Sequence, residues 1–87
     1  MSRVVVAADV AWVEAEDVVY AARLPDGPPL VLEGPGAVVW HALLPGGTVD
    51  EVAERVAQRV GVSAEAVLLD VAGFLDGLLR AGVAAQE

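Results

Sequence analysis

Leu30-Val31-Leu32-Glu33-Gly34-Pro35-Gly36-Ala37-Val38-Val39-Trp40 divides the chain into two kinds of structure. Leu30 to Leu32 is a short apolar run that reads as a brief strand. Pro28 and Pro29 stand at its start, and because proline cannot donate to a β-ladder, that end belongs at a sheet edge. From Gly34 onward the chemistry turns helical. Pro35 suits the first turn of a helix, where its missing N–H costs nothing. Ala37 to Leu44 follows as a short, largely buried helix carrying Trp40, and Pro45-Gly46-Gly47 ends it.

Upstream of this junction the sequence reads as strands. Val4, Val5 and Val6, and then Val10, Trp12 and Val13, are β-branched or aromatic. Asp17 to Leu24, with Val18, Val19 and Tyr20, reads as a further strand. Pro25-Asp26-Gly27 carries strong turn chemistry between that strand and Leu30 to Leu32, which makes the two a hairpin. Downstream, Thr48-Val49-Asp50-Glu51 is a capping box. The helix it opens places Val49, Val52, Ala53, Val56 and Val60 on one face and stops at Gly61. Ser63 is the expected cap of a last helix, with Glu65 in its first turn and Gly82 just past its end. Strands followed by helices imply an α+β domain: a three-stranded antiparallel sheet, then three helices, in one unit spanning residues 1–87.

Composition narrows the function. The chain is 56% hydrophobic, above the roughly 45–50% of an average globular protein; the surplus, mostly Val and Ala, is available to line a groove or a subunit contact. The net charge is −8, with five arginines, no lysine and 13 acidic residues. Arg3, Arg23, Arg55, Arg59 and Arg80 are scattered, so nucleic acid and anionic membrane surfaces are unsuited partners. There is no cysteine, which excludes disulfides and thiolate chemistry and fits a cytoplasmic setting. The apolar start, Met1 to Val13, is interrupted by Asp9 and followed by Glu14, Glu16 and Asp17, and does not read as a signal peptide.

No catalytic constellation emerges. His41 is the only histidine and sits beside Trp40 in an apolar helix, a structural or surface position. Ser2 and Ser63 have no base at a motif spacing. Asp50, Glu51 and Glu54 gather at a helix start, where the dipole favours carboxylates, and no loop has the ligand spacing of a calcium site. The glycines around the first helix form no phosphate-binding pattern. The residues therefore indicate no enzyme, no metal site and no cofactor. The last helix stands apart. Val67, Leu68, Val71, Phe74, Leu75, Leu78 and Leu79 exceed one face, so it meets something on two sides. One side is core; the other is open to a peptide groove or to a second subunit, leaving monomer and homodimer both available.

Together these features resemble the PqqD-like family, the RiPP recognition elements. The resemblance is carried by the hairpin Val18 to Leu32, the run Leu32 to Trp40, the turn Gly46-Gly47-Thr48, and Asp70-Val71-Ala72-Gly73-Phe74-Leu75 through Leu78 to Ala81-Gly82-Val83. It covers roughly residues 4–83. Where that family commonly has Asn after the strand leucine, this chain has Glu33. The resemblance implies a winged helix-turn-helix-like fold. It also implies non-catalytic binding of a precursor's leader peptide for a separate modifying enzyme or protease of natural-product biosynthesis. In such proteins the leader adds as an antiparallel strand to the third strand and sends side chains into a cleft against the last helix. Carried onto this sequence, Leu30, Val31 and Leu32 are expected to pair with the leader, and Val67, Leu68, Val71 and Leu75 to form pockets. A winged-helix DNA-binding regulator and a small dimerisation module are the competing readings, the former opposed by the charge.

Overall fold

β-Branched and aromatic residues supply most of the strands of two small sheets, all but one of them in the first 32 residues. A computed structural model describes residues 2–87; Met1, included in the expected domain, lies outside them. The elements are β1 (Val4–Val6), β2 (Val10–Ala15), β3 (Val18–Arg23), β4 (Leu30–Leu32), α1 (Pro35–Leu43), α2 (Val49–Val60), α3 (Ala64–Arg80) and β5 (Ala84–Gln86). Strands β2, β3 and β4 form an antiparallel sheet in that order, and β1 pairs with β5 in a second, two-stranded sheet. The α+β class and the three-stranded sheet followed by three helices are as the sequence implied.

Two local features differ from expectation. Asp17 was expected to open a strand, but it lies in the β2–β3 turn. Glu16 and Asp17 both have positive φ, 53° and 67°, the backbone of a two-residue hairpin loop. The register Ala15↔Val18 follows from that loop. Acidic residues in place of the usual Asn-Gly concealed the turn, although Asp tolerates the left-handed region better than most. The second difference is β5, which the sequence did not announce. Ala84-Ala85-Gln86 has little strand propensity, and its pairing with Val4-Val5-Val6 is a tertiary effect. Val4 also exchanges backbone hydrogen bonds with Gly47 at 2.7 and 3.0 Å, tying β1 to the start of α2.

The core lies where α1 crosses between the sheet and the other helices. Trp40, Leu43, Val19 and Val52 are fully buried, and Val71, Leu75 and Leu78 bring α3 against them. Truncating Trp40 to Ala would cost about 3–5 kcal/mol. Trp12 of β2 covers the core from outside, its ring edge-on to Trp40 with centroids 5.9 Å apart. The helix ends follow the sequence signals closely. The Glu51 N–H donates to Thr48 Oγ1 at 3.2 Å and the Thr48 N–H to Glu51 Oε1 at 2.8 Å, completing the capping box. Gly61 ends α2 in the left-handed region. Ser63 occupies the cap position of α3 with extended backbone, but its hydroxyl makes no capping hydrogen bond, contrary to expectation. Arg55 Nη1 donates to the Ala42 carbonyl at 2.8 Å and anchors α2 to the end of α1.

Candidate functional site

Strand β4 is an edge. Among the described residues it pairs only with β3, through Val19↔Leu32, Tyr20↔Val31 and Ala21↔Leu30, so one row of its backbone N–H and C=O groups has no strand partner among them. Leu32 is buried, Leu30 is half-buried, and Val31 stands out from the opposite face. The strand is thus held by its side chains while its free edge stays available.

Helix α3 approaches this strand at its ends. The Phe74 ring and the Leu32 side chain both border Gly36, just past the end of β4. Ala81 and Val83, at the other end of the helix, share a hollow with Gly27 and Pro28, just ahead of β4. Val71, Leu75 and Leu78 face the core. Helical spacing places Asp70, Gly73, Phe74, Gly77 and Ala81 together on the adjoining face, and all five are exposed. Gly73 and Gly77 have open space where a Cβ would stand. Glycine inside a helix costs about 1 kcal/mol relative to alanine, and neither glycine here answers to packing or to a positive φ. They keep the helix surface low on the face that also carries Asp70 and Phe74.

Two cavities meet at Phe74. One, of about 380 Å³, opens between the three helices and is walled by valines of each, including Val38, Val56 and Val67. Asp70 is the one charged residue in its wall. The other is a shallower hollow of about 510 Å³ outside α3, where Leu69 is exposed. Pro35, Asp70 and Phe74 border both, so the two are continuous around the Phe74 ring.

The charges around the site are acidic. Asp70 and Glu33 make no ion pair among the described residues. Four arginines are engaged elsewhere: Arg3 with Glu51 and Glu87, Arg23 with Asp9, Arg80 with Asp76, and Arg55 with the Ala42 carbonyl. His41 Nε2 lies 3.0 Å from Glu14 Oε1, joining α1 to β2 on the far side of the sheet from β4. Glu51 has its carboxyl held below the usual carboxylate range, chiefly by the Thr48 backbone N–H, and belongs to the helix cap.

The expected site residues divide into two groups. Leu30, Val31 and Leu32 form the open edge, and Val67 and Val71 stand in the wall of the 380 Å³ cavity, Val71 with almost no exposed surface. Leu75 is wholly within the core, and Leu68 packs against the core without bordering either cavity at Phe74. A core position leaves Leu75 to support the site from beneath and gives it no surface for a guest. Sequence reasoning gave Asp70, Gly73, Phe74 and Gly77 no place among the site residues. The available signal was the pair of glycines, four apart in the interior of an otherwise strong helix.

No curated protein matches this chain in sequence. Among solved structures, the chain is similar to the one described as TbiB1 in complex with the TbiA(beta) leader peptide. The likeness has a TM-score of 0.78 at 21% identity and covers 92% of this chain and 93% of that one. Residues 25–84, from the β3–β4 turn to the start of β5, match the family described as Coenzyme PQQ synthesis protein D. That span takes in the edge strand, all three helices and both cavities, and it places this chain in the PqqD family.

Proposed function

We propose that this chain holds the leader segment of a ribosomally made precursor peptide and presents it to a separate modifying enzyme or leader peptidase. The observation that carries the reading is the free edge of β4, at whose end Leu32 and Phe74 of α3 both border Gly36. An extended peptide added to that edge gains main-chain hydrogen bonds along one side. Its alternate side chains then point toward Phe74 and the cavities around it. Membership of the PqqD family and the likeness to a protein solved in complex with a leader peptide support a leader-binding role. The chain contributes binding and effective concentration, and the partner supplies the chemistry. No cofactor is needed for this role, and the cysteine-free sequence suits work in the cytoplasm.

A second reading, a contact between copies of the chain, draws on the outer face of the sheet. There the row Val13, Tyr20 and Val31 is exposed and flanked only by Ala11, Ala15, Val18 and Ala22. Such a face fits a partner protein or a second copy as well as solvent.

The test is fluorescence anisotropy of a labelled leader, taken from the precursor encoded nearest this gene, titrated with the protein and with Val31→Pro. Saturable binding at about micromolar affinity, weakened at least tenfold in the proline variant with its circular dichroism unchanged, is the expected result. Equal affinity in a folded Val31→Pro variant would remove edge pairing from the account.

A further inference from the structure

The shape of the site is apolar, but its border is not neutral. Asp70 stands at the mouth of the 380 Å³ cavity and again at the edge of the outer hollow, and it is the one charged residue in the walls of both. Its neighbours on the helix, Ala66, Val67, Gly73 and Phe74, offer it no cation. No ion pair reaches it among the described residues, and the arginines are committed away from it. Arg59 borders a different hollow, with Glu14 and Asp17. Glu33, at the end of β4 two residues before Pro35, is exposed and equally unpaired.

In the free protein this arrangement is harmless, because water solvates both carboxylates. An apolar side chain entering the cavity would strip water from Asp70 and leave it without a partner, a penalty that opposes binding. A guest that brings its own cation removes the penalty and adds a charge-assisted hydrogen bond. The −8 charge of the whole chain acts in the same direction by favouring approach of a basic segment.

We propose that the peptide bound here carries a lysine or arginine that pairs with Asp70, at a fixed offset from an apolar side chain that enters the cavity behind Phe74. This deepens the leader-binding reading and rests on it. Asp70 sets which leaders are accepted, while the β4 edge holds any extended chain. Glu33 adds to the same preference from the end of the strand.

The experiment is selection from a random 12-residue peptide display library against immobilised protein, run in parallel on Asp70→Lys. Asp70 is exposed, so the variant should keep its fold, with circular dichroism as the check. The expected result is enrichment on the wild-type of sequences with Lys or Arg at one spacing from a large apolar residue. On Asp70→Lys the enriched sequences should carry Asp or Glu at that spacing. A synthetic peptide from the wild-type selection should bind Asp70→Lys at least about tenfold more weakly. Enrichment of apolar sequences with no charge preference, identical for both proteins, would overturn the proposal and leave edge-strand peptide binding intact. Absence of any enriched sequence on the folded wild-type would remove both.

Discussion

Replacing Gly73 and Gly77 with alanine should make the protein more stable and a poorer binder. Neither glycine has a neighbour within 4 Å of the place a Cβ would take, and neither has a positive φ, so alanine enters without strain. Each change recovers about 1 kcal/mol of helix propensity, and with no packing conflict the pair should give about 2 kcal/mol. For a domain of this size each kcal/mol raises the midpoint by roughly 4–8 °C, so the double variant should melt about 8–16 °C higher. The two methyl groups would stand where a guest strand must approach α3, and crowding of that kind costs about 1–3 kcal/mol, or roughly five- to a hundredfold in affinity. Thermal melts and anisotropy titration of the same two samples read both quantities. A stabilised double variant that binds its leader as tightly as the wild-type would show that the guest does not lie over these glycines. A destabilised one would mean that the open space at Gly73 and Gly77 has been misread.

The remaining predictions concern groups outside the groove. The carboxyl of Glu51 is held below its ordinary value by the Thr48 backbone N–H, so its folded-state pKa lies under that of the unfolded chain. Its contribution is therefore complete above the unfolded value and is lost as pH falls through the folded one. Glu51→Gln should show a shallower loss of urea midpoint than the wild-type between about pH 5 and pH 3; parallel curves would deny the cap any part in acid sensitivity. Thr48→Ala should cost about 1 kcal/mol in the same assay, and no loss would contradict the capping box as a source of stability. His41→Ala gives up a 3.0 Å contact with Glu14 and an edge-on contact with Trp12. It should lower stability by about 1 kcal/mol and leave leader affinity unchanged, while a tenfold loss of affinity would place the site on the wrong side of the sheet.

Periodicity and punctuation carried most of the fold into the sequence. Pro35, the Thr48–Glu51 box and Gly61 mark helix boundaries through local hydrogen bonding and backbone preference, and such signals survive without knowledge of the tertiary structure. The edge position of β4 was legible for a similar reason, since the prolines just ahead of it cannot donate to a ladder and are kept out of central strands. What was lost depends on neighbours distant in sequence. β5 is a strand because β1 lies beside it. Phe74, half-exposed, borders Gly36 from another part of the chain, a contact its own helix does not reveal. The stripe on α3 correctly announced a helix with two apolar sides. It could not say which leucine faced the core, and Leu75, expected in a pocket, proved to be interior. Asp70 escaped notice because a single carboxylate on a helix is ordinary until the apolar wall around it is assembled.

The pairing of β1 with β5 has a consequence for the order in which the molecule forms. Val4 leaves the ribosome long before its strand partner, Gln86. The β2–β3 hairpin and the successive helices close over short stretches of chain and can form as they emerge. β1 must wait for the end of α3 before its strand partner emerges, with its hydrogen bonds to Gly47 and its packing against α1 to hold it in the meantime. Closing the first strand onto the last is the step that converts a row of locally formed pieces into a ring. That step also fixes the end of α3, and with it the far wall of the groove. A nascent chain stalled before residue 84 would therefore present the β4 edge before the helix beside it is fully secured.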